Sequence, residues 1–250
     1  MQTISIIPSL TISALKEYGV EPLPAYEDAL TTSCNLSPPP YGMEWYGAKY
    51  RNVAADPSWL ANSLIMNAAK EGEGSRKLWE LAGRASDATV SRQIRNHAID
   101  ESRHAMLYIN MIEIAFPNSI ELSFKLELDK LSPGYKKGDQ PPKLNSRSKM
   151  QIFDEIIQMN IGEIRTRVHQ LLLQPVIMVH CGSGMRGQLS RILNSLIRDE
   201  TKHIVYTARL INEAMSEDNT GELRKLMHQR LDEFNAITLR EVGERSFEGA

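Results

Sequence analysis

Cysteine is almost missing from the chain. Cys34 and Cys181 stand alone, with no C-x-x-C pair and no basis for a disulfide framework. A reducing compartment, the cytoplasm, is therefore expected. Long apolar runs are missing too: none approaches the roughly 18 residues that a membrane span needs. Met1 to Val20 has no basic stretch followed by an apolar block, so no secretory signal is expected. Charge of one sign is also lacking. The net charge of −2 leaves no strong electrostatic footprint for nucleic acid or an anionic membrane.

What is present is ordinary for a soluble globule: 42% apolar and 24% charged residues in a chain of 250. That length suffices for a buried core and suits one large domain with extensions. Residues 1–55 read as an irregular extension packed on the core through Trp45, Tyr46 and Tyr50, and Pro38-Pro39-Pro40 breaks regular structure. Residues 56–250 read as helices. Asp56-Pro57 opens the first, with Asp as N-cap and Pro at the first helical position. It runs to about Gly83, with Gly72 and Gly74 weakening its middle. Asp87 caps the second, which stops at Pro117. Residues 117–147 form a long crossover with a short strand near Ser123–Glu127. The third helix spans about Lys149 to Val179, and Pro175 is expected to kink it. Cys181-Gly182-Ser183-Gly184 breaks the chain before a fourth helix, Met185 to about Ala214. An amphipathic fifth runs from Glu222 to about Val242. The expected fold is all-α: two helix pairs joined by one long crossover, plus an additional C-terminal helix.

Two pentapeptides repeat one another: Asp100-Glu101-Ser102-Arg103-His104 and Asp199-Glu200-Thr201-Lys202-His203. In each, Glu and His stand three apart and share a helix face. Each follows a helix that carries a glutamate in its apolar stripe. On the first helix the stripe is Leu60, Leu64, Ala68, Glu71, Ser75, Leu78 and Ala82, whereas Glu73 falls about 200° away with Lys70 and Lys77. The second helix aligns Ile94, His97, Glu101, His104, Tyr108, Met111 and Ala115. The third aligns Ile152, Ile156, Met159, Glu163, Thr166, Gln170 and Leu173, with Glu155 on a polar face. The fourth aligns Leu189, Leu193, Leu196, Glu200, His203, Thr207 and Leu210. Levels agree as well. Glu71 lies about 13 residues before its turn and Glu101 about 14 after it; Glu163 lies about 16 before the second break and Glu200 about 15 after it.

Any one of these glutamates alone reads as a solvated helix surface. Four acids and two histidines inside apolar stripes at matched heights read otherwise, because burying unpaired carboxylates is very costly and two divalent cations cancel the charge. Two E-x-x-H pairs plus two further glutamates make the ligand set of a carboxylate-bridged dimetal centre in a four-helix bundle. The alternative is a structural polar core network. Carboxylates with one imidazole per metal suit iron or manganese.

With its Glu…E-x-x-H repeat, and with Glu71-x-x-Gly74 followed by Leu81-Ala82, the chain resembles the ferritin-like di-iron carboxylate superfamily over about residues 56–215. The resemblance implies a ferritin-like four-helix bundle holding two irons per chain, with manganese admissible at one position. It implies terminal ligands at Glu71 and Glu163, bridging ligands at Glu101 and Glu200, and nitrogen ligands at His104 and His203. Asp100 and Asp199 resemble the acids that hold a ligand imidazole in its tautomer; otherwise they are surface charge. His97 resembles the extra histidine of arylamine N-oxygenases. There, however, the extra histidine belongs to the second motif, where this chain has Leu196, so His97 reads as a third nitrogen ligand or as a buried packing histidine. His169, His180 and His228 fall off the stripes. Tyr108 and Tyr206 read as packed aromatics or redox tyrosines.

The expected activity is that of an O2-activating di-iron oxygenase acting on a small organic substrate, by C–H hydroxylation or amine N-oxygenation. No reductase, ferredoxin-like or flavin motif is present, so an external electron donor is expected, and a homodimer as the assembly. Three rivals stand. One is a ferroxidase or iron-handling protein. Another is an RNA-modifying di-iron hydroxylase using Lys130, Lys136, Lys137, Lys143, Arg147 and Lys149. The third is a scaffold that holds no metal.

Overall fold

The computed structural model describes residues 5–117, 122–218 and 220–243. Among these, nine α-helices and no strand occur: α1 (Ile7–Glu17), α2 (Pro24–Leu36), α3 (Glu44–Val53), α4 (Pro57–Arg84), α5 (Ala88–Ala115), α6 (Leu122–Asp129), α7 (Lys149–His180), α8 (Arg186–Glu217) and α9 (Glu222–Gly243). The expected all-α class holds. No described helix is long and apolar enough to cross a membrane.

The long helices begin where local chemistry satisfies their first amides. The Asp56 carboxylate accepts from Ser58 N, with Pro57 at the first position of α4. Asp87 accepts from Thr89 N and Val90 N at the start of α5. At the start of α7, Ser148 and Gln151 exchange side chain-to-backbone bonds in a capping box. Asp218 accepts from Thr220 N and Leu223 N ahead of α9. Pro175 lies within the continuous α7.

Two expectations are corrected. The N-terminal extension is helical rather than irregular: α1 and α2 each carry proline in the first turn, where its missing N–H and fixed φ do no harm. The proline run stays outside the helices and leads into a 3-10 turn at Pro40–Gly42. The strand expected near Ser123–Glu127 is helix α6. No described strand is available to pair with it, so an extended segment would leave its amides unsatisfied, whereas a helix bonds them internally. Phe124 and Leu126 are exposed and Leu128 is buried, a one-sided burial that a helical turn also provides.

The fold divides into two compact units. Unit 1 comprises Met1–Val53, Phe153–Leu173 and Ile197–Ala250. Within it α2 packs on α1 and α9. The buried Tyr26 hydroxyl donates to Asn160 Oδ1 at 2.9 Å, and Asn160 Nδ2 donates to Thr207 Oγ1 at 2.9 Å. Arg230 clamps Asp154 with two bonds of 2.6 and 2.7 Å. The contacts Asn160–Thr207, Glu163–His203 and Gln170–Glu200 pair rising numbers on α7 with falling ones on α8, so the two helices run antiparallel there.

Unit 2 comprises Ala54–Ile152 and Gln174–Leu196. Its centre is the antiparallel pair α4 and α5, joined across the interface by Ser75 Oγ donating to Ala98 O and Ser91 Oγ donating to Ala82 O. The crossover after α6 lies directly on this pair. Leu144 N donates to Gly83 O, Arg147 N donates to Arg84 O, and Tyr135 stacks on Trp79 with ring centroids 4.1 Å apart. The approach is close enough that a Cβ on Gly72 would lie 2.0 Å from Leu131 O, and one on Gly83 would lie 2.1 Å from Pro142 O. Gly72 does not weaken α4; it admits the crossover.

Candidate metal centre

The α4 stripe is buried throughout, from Leu60 to Ala82, and so is the α5 stripe from Ile94 to Ala115. This turns Glu71, Glu101 and His104 into the interior, while Glu73 stays at the surface, where it pairs with Lys77 at 2.6 Å. His104 Nδ1 lies 3.3 Å from Glu101 Oε1 and 4.0 Å from Glu71 Oε2. One ligand atom from each of Glu71, Glu101 and His104 can be chosen so that all lie within 4.8 Å of one another. Two donors about 2.1 Å from one ion are at most about 4 Å apart, so small side-chain adjustments would close this triad around a cation. His97 Nε2 also faces Glu101 Oε1, at 3.4 Å.

Unit 1 carries a second triad. His203 Nδ1 lies 3.4 Å from Glu163 Oε2 and 3.4 Å from Glu200 Oε2. Glu200 and His203 are buried, and the Glu163 side chain is 13% exposed. Gln170, itself buried, donates from Nε2 to Glu200 Oε1 at 2.7 Å. That bond occupies one carboxylate oxygen and leaves the other turned to His203.

Charge is concentrated in both triads. Burial pushes the Glu101 carboxyl up, but a hydrogen bond from Glu71 and the charge and hydrogen bonds of His104 and His97 outweigh it, holding Glu101 well below the usual carboxylate range. The donor set, carboxylate oxygens with an imidazole, could hold a divalent metal ion.

Each triad thus brings together three of the six residues singled out by the motif. Of the flanking acids, Asp100 is held by Arg103 at 3.1 Å and is partly exposed, whereas Asp199 is buried and paired with Lys202. Tyr108 is buried, and the Tyr206 hydroxyl lies 3.9 Å from Met159 Sδ. His180 sits 3.3 Å from Ala54 O with its ring against Phe116. The role of Gln170 was not anticipated. Its signal was an amide in an apolar stripe one helical turn from Thr166, a position that needs a polar partner. No family model, curated protein or solved structure matches the chain.

Proposed function

We propose that the chain is an O2-dependent di-iron oxygenase built as a ferritin-like four-helix bundle, with each triad binding one ion. The observation that carries this reading is the recurrence of one largely buried Glu2His set: Glu71, Glu101 and His104 in unit 2, and Glu163, Glu200 and His203 in unit 1. Service of both ions in one reaction rests on the sequence, through the matched E-x-x-H motifs and the equal levels of their glutamates. When bound, a ferrous pair supplies the electrons that reduce O2 and the oxidising power for C–H hydroxylation or amine N-oxygenation of a small organic substrate; manganese at one position would serve similarly.

The side chains set the conditions. His104 and His203 supply one imidazole each, and His97 stands ready as a further nitrogen donor beside Glu101. Gln170 orients Glu200. The apolar stripes that surround the ligands exclude water and so protect an oxidising centre from side reactions. An external one-electron donor of the cytoplasm completes the cycle.

Iron analysis of the protein produced in iron-replete medium tests this. About two irons per chain are expected, together with an absorption band when O2 is added to the reduced protein. A metal-free protein, or full iron retention in Glu200→Ala, would overturn the ligand assignment. Repeated ferrous oxidation with mineral formation and no organic product would instead favour iron handling.

A further inference from the structure

A second group of reactive side chains lies in unit 1, apart from the ligands. Tyr46, on α3, is fully buried, and its phenol oxygen lies 2.6 Å from His169 Nε2 on α7. The two ring planes are within 5° of parallel, with centroids 5.6 Å apart. Tyr50, one helical turn on, stacks against the same imidazole at 6.2 Å. Trp45 meets Tyr46 edge-on at 5.8 Å while remaining 43% exposed, and its indole N–H donates to Met43 Sδ. The run leads from the partly exposed Trp45 to the buried Tyr46 and on to His169, which is itself partly exposed. The next residue, Gln170, donates to Glu200, and Glu163 lies six residues earlier on α7, about 9 Å along its axis.

Burial raises the Tyr46 phenol to about 12 although Arg165 pulls the other way, so the hydroxyl keeps its proton at neutral pH. A phenol that loses an electron becomes a strong acid and must shed that proton. In a buried site the proton needs an acceptor already in place, and His169 Nε2 occupies that position. A buried phenol needs a hydrogen-bond partner in any case; here one partner is an imidazole nitrogen at 2.6 Å, a group that can also take the proton.

We propose that Trp45, Tyr46 and His169 form a proton-coupled electron relay between the surface and the metal ion of the unit 1 triad, an assignment that rests on the di-iron reading for its oxidant. An oxidised transition-metal ion held by Glu163, Glu200 and His203 takes one electron from Tyr46. The phenol O–H bond breaks and its proton passes to His169 Nε2. The products are the metal lowered by one oxidation unit, a neutral phenoxyl radical and an imidazolium. An electron passed through Trp45 from a one-electron donor at the surface, with return of the proton, restores the starting state.

The test uses the full-length, metal-free chain with photogenerated ruthenium(III) tris-bipyridine as a soluble one-electron oxidant and electron paramagnetic resonance as the readout. A hydrogen-bonded tyrosyl signal is expected, lost in Tyr46→Phe and depleted in His169→Gln, which keeps an acceptor but not a base. Trp45→Leu alters a partly exposed residue and should slow reduction of the radical by an added donor. An undiminished signal in both Tyr46→Phe and His169→Gln, with native circular dichroism, would overturn the relay. The assay holds no metal, so the two readings fail separately: iron uptake without a Tyr46 radical sinks the relay, and a Tyr46 radical without iron uptake sinks its metal oxidant.

Discussion

The two triads share their ligand types but differ in what steadies them. In unit 2, Glu101 has His97 as a further polar neighbour, four residues back on the same helix, at 3.4 Å. In unit 1, Glu200 has Gln170 as a further neighbour, which arrives from the other helix at 2.7 Å. The repeat makes the exchange plain. Leu196 stands four residues before Glu200, and Leu78 stands seven after Glu71 where Gln170 stands seven after Glu163; both leucines are buried. An imidazole can ligate a metal, whereas a carboxamide N–H can only donate to a ligand. One triad is thus richer in nitrogen, and the other has a pinned carboxylate.

The largest expected effect comes from the bridging candidates. Glu101→Ala and Glu200→Ala should each remove at least one of about two irons per chain, read by metal analysis; loss of both irons from either variant would show the triads to be interdependent. Next is the scaffold peculiar to unit 2. Gly72→Ala and Gly83→Ala force a Cβ to within 2.0 and 2.1 Å of crossover carbonyl oxygens. Each should destabilise by roughly 2–3 kcal/mol and lower Tm by about 4–12 °C in calorimetry. Gly74→Ala meets nothing within 4 Å and should stabilise α4 by about 0.5–1 kcal/mol. A fall in Tm there would contradict the assignment of close approach to the other two glycines alone.

Smaller effects should make the triads alike. Gln170→Leu gives unit 1 the residue type of unit 2, and His97→Leu does the converse. Each should weaken binding at its own triad by about 10-fold or more, seen as a shift of one limb of a metal titration. A shift of both limbs together by either variant would deny the asymmetry. The smallest effect is on pH dependence. A hydrogen bond from Thr220 and backbone bonds from Leu223 and its neighbours hold Asp218 at about 2, below its ordinary 3.8. Its support of the start of α9 is therefore complete above pH 3.8 and fades as the pH falls towards 2. Amide exchange in α9 should quicken over that window, and Asp218→Ala should remove the dependence.

Residues whose role follows from helix periodicity were readable in the sequence. The stripes of α4 and α5 sorted Glu71 from Glu73, and Asp56 and Asp87 marked true helix starts because capping is local chemistry. Helices α1 and α2 escaped because proline in a first turn resembles a break. Helix α6 escaped because its alternating apolar residues mimic the strand period. Gln170 and Glu200, or Tyr46 and His169, lie on different helices, and no local spacing announces such a meeting. Gly72 and Gly83 carry the same difficulty, since the backbone that passes over them belongs to a distant segment.

That passage bears on kinship. The place where the crossover crosses α4 leaves no room for even a methyl group at residue 72, beside a metal-ligand candidate, or at residue 83. Any descendant that keeps this crossing must keep both residues bare, whatever happens to the surface around them. Two hydrogen atoms, as much as the six candidate ligands, are what this crossing fixes in the sequence.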